Sequence, residues 1–306
     1  MRSSGNRIPW LDVAKGITII LMVAGHSSLP NSIQSWIFSF HMPLFFILSG
    51  VTTKWDATNF VSFSLKKLVS LGRPFIIYSA ICAFIIYTLH LGDLSFAKGW
   101  GDFALWFVPV LLFALIISKL VLSCDESLKI FLTILLPFIS VLLSFHHISL
   151  SWNMAVVPYS SFFVIIGGLA KGSVAKLDWI NWWLLIVFLA LTILISHFFT
   201  LDMSRNQCLP IIPLTIGAIS GTLFICGISR YIDRYFIRVS QILQSVGRET
   251  FITLAFSQIF IMSMNKYFVI NPVIKYLLLI TALVVVKYIK DFIVDRYKSL
   301  TNHRRL

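Results

Sequence analysis

The sequence predicts an all-α polytopic membrane protein, a bundle of about ten transmembrane helices with the N- and C-termini in the cytoplasm. Hydrophobic residues make up 58% of the 306 residues and charged residues only 12%, and the surface of a water-soluble domain of this size does not tolerate that balance. Apolar runs of about 20 residues recur along the chain. Lysine and arginine collect on alternate connections between those runs, as is typical of cytoplasmic loops.

Each predicted span is a run of mainly apolar residues close to the length that crosses a bilayer. The fifth and ninth are short and depend on flanking side chains that snorkel to the interface. No connection is long enough for a separate soluble domain, so residues 1–306 are predicted to form one transmembrane domain. In chain order the spans are approximately 10–29, 33–53, 74–91, 103–122, 130–145, 154–170, 179–199, 209–229, 250–264 and 272–289.

The orientation follows from the basic residues. With the N-terminus inside, 20 of the 25 Lys and Arg residues fall on cytoplasmic connections or ends and four on the opposite side, while Lys15 lies in the first span. One missing span would invert every later loop and remove this asymmetry, so the asymmetry supports the count of ten. Topology, with a basic cytoplasmic tail at about 290–306, therefore explains the formal charge of +13, and we expect no nucleic acid partner.

The first two spans are predicted to form a helical hairpin at 9–51, and this hairpin carries Asp12, Lys15, His26 and His41. Ionisable side chains are expensive to bury at membrane depth, so they usually mark a pathway or a reaction centre. The remaining spans are predicted to surround this hairpin. We therefore look for function here first.

One face of the first helix collects the unusual residues. Lys15 and His26 are eleven residues apart, close to three turns, so they share a face and lie about 16 Å apart along the axis. Asp12 lies on nearly the same face. The stripe of Asp12, Lys15, Ile19, Met22 and His26 is predicted to point away from lipid, with Asp12 and Lys15 paired. Alternatively, Lys15 snorkels to the cytoplasmic surface and Asp12 is only its counter-ion.

The second helix returns His41 toward His26. Antiparallel neighbours joined by a short turn bring the two imidazoles within reach of one site. Neutral histidine can take a proton near pH 7 and return it, which suits the activation of a hydroxyl or the handling of a leaving thiol. Both rings could instead be packing residues that bond to helix carbonyls. Pro43 should bend this helix and turn Ser39 and His41 toward a polar cavity.

Other classes of site leave no signature in the chain. It has no Walker A loop, no GxGxxG after a strand, and no His or Cys cluster with metal-ligand spacing. We therefore expect no metal site. His197, Asp202 and Arg205 lie in a polar outer loop where they could touch an acceptor.

Four segments together resemble the acyltransferase-3 superfamily of ten-helix membrane proteins, in particular its fucose 4-O-acetylase-like branch. The first two are distinctive on their own, and the order of all four extends the resemblance over most of the chain. The segments are LDVAKGITIILMVAGH at 11–26, FHMPLFFILSG at 40–50, LWFVPVLL at 105–112 and VGRETFITLAFSQ at 246–258.

The resemblance implies an O-acyltransferase of the bacterial inner membrane. Such a protein moves an acyl group, usually acetyl from acetyl-CoA, to a hydroxyl of a surface or lipid-linked carbohydrate. Acyl-CoA is then a substrate and no cofactor is bound permanently. His26 would be the central catalytic residue, as a general base or an acyl carrier, with His41 as its neighbour and Lys15 as the family's basic residue eleven positions before the histidine.

A basic pair ahead of the third span often accompanies this family. Here Lys66, Lys67 and Arg73 precede Pro74 with a different spacing, and the resemblance implies them as contacts of the coenzyme. Phosphate recognition by such cations is chemically reasonable. Positive-inside topology alone would also place basic residues there.

A rival interpretation comes from another class of protein. Polar residues in a helical bundle also serve a carrier or flippase for a sugar-lipid or a small acid. The third to tenth spans hold few charges at mid-membrane depth from which a translocation path could be built. The composition therefore favours the enzyme, and acyl transfer is the activity that separates the two readings.

Overall fold

The computed structural model describes residues 8–27, 29–92, 104–174, 180–267 and 271–303. Within these ranges the chain is helical and forms no β-sheet; an antiparallel bridge between Asp202 and Gln207 is the one isolated pair there. The tail predicted at about 290–306 begins inside the last helix, which reaches His303. Several residues behind the predicted orientation lie outside the described ranges, namely Arg2, Arg7, Lys98, Lys176, Arg304 and Arg305.

Thirteen α-helices follow one another in the described ranges. A π-helical turn, Leu68–Gly72, joins α3 to α4, and the 3-10 turns Ala104–Trp106 and Ser151–Val156 lead into α5 and α7. The α-helices are α1 (Pro9–Gly25), α2 (Asn31–Thr52), α3 (Phe60–Lys67), α4 (Arg73–Thr88), α5 (Phe107–Leu122), α6 (Glu126–Phe145), α7 (Val157–Leu169), α8 (Lys171–Val174), α9 (Trp182–Phe198), α10 (Ile211–Tyr235), α11 (Ile237–Arg248), α12 (Thr250–Tyr267) and α13 (Pro272–His303).

Helices that can cross a membrane confirm a multi-pass membrane protein. All ten predicted spans overlap helices, but α1 and α9 have 17 residues each, fewer than the roughly 20 of a full span. The count of ten and the cytoplasmic position of both termini stay predictions. Six helical runs of the described residues are long and apolar enough, namely Asn31–Thr52, Phe60–Thr88, Ala104–Leu122, Glu126–Phe145, Ser151–Leu169 and Ile211–Tyr235.

The helix that contains the third predicted span, 74–91, starts earlier than predicted, at Phe60. The connection at 54–73 was predicted as an inner loop, yet α3, the π turn and α4 run together as one helical rod. Pro74 offers no N–H to the carbonyl of Ser70, and its ring would clash with that carbonyl in a regular α-helix. Ser70 lies in the wider π turn, which accommodates the proline without breaking the rod.

The predicted inner connection at 230–249 is also helical. Its second half is the amphipathic helix α11, which packs along α1. A β-carbon on Gly16 would overlap the carbonyl oxygen of Leu243, and one on Gly247 would overlap the carbonyl oxygen of Asp12. The two backbones therefore touch, which only small residues permit.

The hairpin of α1 and α2 lies at the centre of the bundle, as predicted. Helix α2 packs against α1, α7, α9 and α10, and its Phe40 and Phe46 side chains are fully buried. Gly50 of α2 and Gly167 of α7 let those two backbones approach closely. Large apolar side chains on the outer helices α4, α6 and α9 are exposed, as expected for surfaces that face lipid: Ile76, Phe84, Phe131, Phe138, Trp183 and Phe198.

Candidate active site

The predicted stripe of α1 lines two adjoining cavities. Asp12, Lys15, Ile19 and Met22 line one, which we name the carboxylate cavity, and Met22 and His26 line the other, the histidine cavity. The shared direction follows from the helical period of the five positions. The stripe therefore points into the protein, as its spacing indicated.

The carboxylate cavity has a volume of about 250 Å³. Asp12 is 5% exposed, and its two carboxylate oxygens face different cations. Lys15 Nζ lies 4.0 Å from Oδ1, and Arg248 Nε lies 3.9 Å from Oδ2. Two cations around one buried carboxylate leave this wall net positive. The cavity lining is Asp12, Lys15, Ile19, Met22, Met42, Phe45, Ser49, Leu71, Phe107, Val108, Leu111, Gly247, Arg248, Thr250, Phe251 and Leu254.

The histidine cavity is much smaller, with a volume of about 60 Å³. That space holds only a few water molecules or a few non-hydrogen atoms of a ligand. Its walls are mostly apolar, with two imidazoles, one carboxylate, one hydroxyl and one carboxamide. The lining is Met22, His26, Phe38, His41, Met42, Ala104, Trp106, Leu201, Asp202, Met203, Ser204, Leu254 and Gln258.

His26 caps the C-terminal end of α1, where the chain leaves the helix. Gln34 Nε2 donates to the carbonyl oxygen of Gly25 over 2.8 Å and so ties the start of α2 to this turn. The ring of Phe38 lies 5.2 Å from the ring of His26 and 5.1 Å from that of His41, centroid to centroid. The two imidazoles therefore flank one phenyl ring at the same cavity.

The orientation of His41 fixes its tautomer. Its Nδ1 lies 3.0 Å from the carbonyl oxygen of Ile37. A carbonyl oxygen only accepts hydrogen bonds, so Nδ1 carries the proton of the neutral ring. Nε2 is then left with a lone pair that can accept a hydrogen bond or a proton. The side chain lines the histidine cavity and is 6% exposed overall.

A loop between α9 and α10 closes one side of the histidine cavity. Leu201 and Met203 of this loop are buried, and Asp202 and Ser204 also line the cavity. The Asp202 Oδ1 atom accepts from the backbone N–H of Ser204 at 2.9 Å and from its hydroxyl at 2.5 Å. Oδ2 lies 3.6 Å from Arg205 Nε. The carboxylate is thus held in place beside His26.

The four predicted catalytic residues all reach these cavities, Asp12 and Lys15 in one and His26 and His41 in the other. Their catalytic role stays a prediction. Asp12, Lys15 and His26 lie at different depths along α1. The ring of Phe38 lies between the rings of His26 and His41.

Lys66, Lys67 and Arg73 do not line either cavity; Leu71, between them in sequence, does. Lys66 and Arg73 are exposed. Lys67 Nζ donates to the Thr53 hydroxyl at 3.3 Å, which fastens the end of α2. Their role as coenzyme contacts stays a prediction that this placement does not favour.

The prediction that Ser39 faces the polar cavity is wrong. Its hydroxyl donates to the carbonyl of Trp36 at 2.7 Å and lies 3.2 Å from the hydroxyl of Thr192 on α9. Ser39 is buried and lines neither cavity. His41 and Met42 line the cavities, whereas the hydroxyl of Ser39 contacts the adjacent helix α9.

The cavities also include three residues that the sequence did not join to the hairpin. Arg248 lies beside Asp12, and Asp202 and Gln258 line the histidine cavity. The signal for Arg248 and Gln258 was present, because both lie in the fourth resembling segment, and that segment lines both cavities. No sequence signal joined Asp202 to His26, which are far apart in the chain.

All four resembling segments meet at the two cavities. The third contributes Trp106 to the histidine cavity and Phe107 to the carboxylate cavity, and the fourth runs from Gly247 past Leu254 along both. In the described ranges no three His, Cys, Asp or Glu side chains are placed to share a metal ion, and the four cysteines are free thiols.

Comparison with known proteins agrees with this convergence. A family model described as an acyltransferase domain, acyltransferase 3, matches residues 8–290, which include every cavity-lining residue named above. No curated protein and no solved structure gives a match. A family match over most of the chain is decisive for membership, so this multi-pass membrane protein belongs to the acyltransferase-3 family.

Proposed function

We propose that the protein is an O-acyltransferase of the fucose 4-O-acetylase-like branch in the bacterial inner membrane. It moves an acyl group, acetyl first, from cytoplasmic acyl-CoA to a hydroxyl of a surface or lipid-linked carbohydrate. One observation carries the proposal: a cavity with basic side chains and a cavity with two imidazoles meet at the same three residues, Met22, Met42 and Leu254.

The carboxylate cavity suits the donor. Coenzyme A carries several phosphate charges, and Lys15 and Arg248 place two cations beside Asp12, the one carboxylate in the lining of this cavity. Charge-assisted contacts between such cations and phosphate are strong. The cavity lies at the N-terminal end of α1, which the predicted orientation places toward the cytoplasm. Acyl-CoA then enters from the compartment where it is made.

The junction of the cavities suits the reacting thioester. Met22, Met42 and Leu254 line both spaces, so a pantetheine arm that extends from the carboxylate cavity brings its thioester to the edge of the histidine cavity. Apolar walls exclude competing water from the acyl group. The acceptor hydroxyl approaches from the other side, along the loop that contains Asp202.

His26 then acts as the general base. The acceptor oxygen attacks the thioester carbonyl carbon while the hydroxyl proton passes to the imidazole. The carbon–sulfur bond breaks, and the departing thiolate takes the proton from the imidazolium. Asp202 lines the same cavity, where its carboxylate can stabilise the imidazolium formed between the two transfers. His41 orients the sugar through the Nε2 acceptor that its bond to Ile37 leaves available.

Removal of the imidazole at position 26 tests the proposal. We expect His26→Ala and the more isosteric His26→Gln to abolish O-acetylation of the surface glycan, measured by mass spectrometry as loss of one acetyl mass per modified sugar. The level of protein in the membrane should not change. His90→Ala is the matched control, because His90 is exposed and lines neither cavity.

Acetylation that persists in both His26 variants would contradict the catalytic assignment. A glycan that is equally acetylated with and without the unmodified protein would favour the carrier interpretation. In that case a labelled sugar-lipid or small acid should cross vesicles that contain the protein.

A further inference from the structure

A third cavity lies on the far side of the loop that closes the histidine cavity. Its volume is about 450 Å³, within the range of small-ligand sites. It forms between this loop and the connection from α6 to α7. We name it the loop cavity, and its lining is Ser144, His147, Ile148, Ser149, Thr200, Arg205, Asn206, Gln207 and Leu209.

The loop cavity is polar, and Arg205 is the one permanently charged side chain in its lining. Seven of its nine lining residues are polar, and they offer hydroxyls, two carboxamides, an imidazole and a guanidinium. Among the nine, none is a carboxylate or a lysine. Hydroxyls and carboxamides both donate and accept hydrogen bonds. Such a lining matches a ligand with many hydroxyl groups, which also donate and accept.

A single stretch of chain forms the wall between this cavity and the histidine cavity. Residues 201–204 line the histidine cavity, while Thr200 before them and residues 205–207 after them line the loop cavity. Residues that line one cavity are therefore bonded directly to residues that line the other. The ion pair of Asp202 and Arg205 at 3.6 Å joins a side chain of each cavity.

The wall is fixed in shape by its own bonds. Asp202 and Gln207 exchange two backbone hydrogen bonds of 3.1 and 2.9 Å, and Asn206 turns the chain with a left-handed φ of 54°. The Ser144 hydroxyl donates to the carbonyl of Asn206 at 2.7 Å, which ties the loop to α6. A site whose groups are already ordered loses less entropy when a ligand binds.

We propose that the loop cavity binds the acceptor carbohydrate, on the sugar units that adjoin the one acylated in the histidine cavity. This inference rests on the proposed function. The histidine cavity has room for little more than the reacting groups, so it cannot recognise a glycan by itself. Recognition falls to the larger polar cavity, which is lined by the adjoining residues of the same loop.

The experiment separates binding of the acceptor from chemistry. The purified protein in lipid nanodiscs is given acetyl-CoA and unacetylated surface polysaccharide from cells that lack the protein, at increasing polysaccharide concentration. Ser149→Ala combined with Gln207→Ala removes one polar group from each side of the cavity. We expect the KM for polysaccharide to rise about tenfold, while kcat and the KM for acetyl-CoA change less than about twofold. His146→Ala, next to the cavity but outside its lining, should change none of the three.

An unchanged KM for polysaccharide, or a fall in kcat without a rise in KM, would overturn the inference. Transfer by the unmodified protein and its loss in His26→Ala must both be seen in the same assay. If the unmodified protein transfers nothing to the polysaccharide, the proposed function fails, and the loop cavity loses its role with it.

Discussion

The carboxylate cavity and the histidine cavity share the stripe of α1 and three lining residues, yet they differ in size and charge. The first has about 250 Å³ and places Lys15 and Arg248 around one buried carboxylate. The second has about 60 Å³ and holds two imidazoles and the carboxylate of Asp202. One helix thus carries a carboxylate and an ammonium group at one end and an imidazole at the other.

The difference indicates a division of labour. Fixed cations attract the phosphates of a donor whether or not it reacts, so their loss weakens ground-state binding. Imidazoles near the reacting carbon act on groups that change charge in the transition state, so their loss slows the chemical step. Substitutions in the two cavities should therefore separate into KM effects and kcat effects.

After His26, the largest effect in this comparison is expected at His41. In His41→Asn the side-chain amide can still donate to the carbonyl of Ile37, but the Nε2 acceptor is gone. We expect kcat to fall about 100-fold, with an unchanged KM for acetyl-CoA. Steady-state kinetics on the purified protein measures both.

His41→Gln serves as the comparison variant, because its longer side chain brings an amide group nearer the position of Nε2. It should retain more activity than His41→Asn. If the two variants were equally active, the bond to Ile37 and not the Nε2 acceptor would be what matters at this position.

A smaller effect is expected in the carboxylate cavity. Arg248→Gln removes one of the two cations beside Asp12, and we expect the KM for acetyl-CoA to rise about 30-fold, since charged hydrogen bonds contribute about 2 kcal/mol. The kcat should stay within about twofold. Arg238→Gln on the same helix, whose side chain is exposed and lines neither cavity, is the matched control.

A fall in kcat for Arg248→Gln with no change in KM would show that the two cavities do not divide binding from chemistry. Salt provides a second measurement. Added salt should raise the KM of the unmodified protein for acetyl-CoA more than that of Arg248→Gln, because screening weakens the charge contact that the variant already lacks.

The smallest effect concerns the junction. Met42 is 7% exposed and lines both cavities, so Met42→Ala should let a longer acyl chain project into the histidine cavity. We expect the ratio of kcat/KM for butyryl-CoA over acetyl-CoA to rise about tenfold, as expected for one or two methylene groups in an apolar pocket.

Leu44→Ala is the control for this variant, since Leu44 is fully buried on the same helix but lines neither cavity. It should lower stability without changing the acyl-chain ratio. Equal ratios for both variants and the unmodified protein would mean that the junction does not measure the length of the acyl chain.

Most of what the sequence predicted about the candidate site followed from the period of the α-helix. The spacing of Asp12, Lys15 and His26 was enough to place them on one inward face, because a single helix sets their relative directions. The central hairpin followed from the short turn between its helices. These inferences need only local geometry, and the structure confirms them.

Positions that depend on contacts between distant segments were not predictable in the same way. The approach of Arg248 to Asp12 depends on how α11 packs on α1, and the position of Asp202 depends on the fold of a loop. The start of the helical rod Phe60–Thr88 was not predicted because its charged residues resemble a loop, and a π turn accommodates the proline that should have ended the helix.

The contact of Gly16 with α11 fixes more than the distance between two helices. Gly16 and Gly247 carry no side chains where the two helices cross, so the main chains are in direct contact there. This contact prevents α11 from sliding along α1. Arg248 follows Gly247 in the chain, so this backbone contact also fixes the position of Arg248 relative to Asp12. An amphipathic helix outside the six spans thereby sets the position of a cation in the carboxylate cavity.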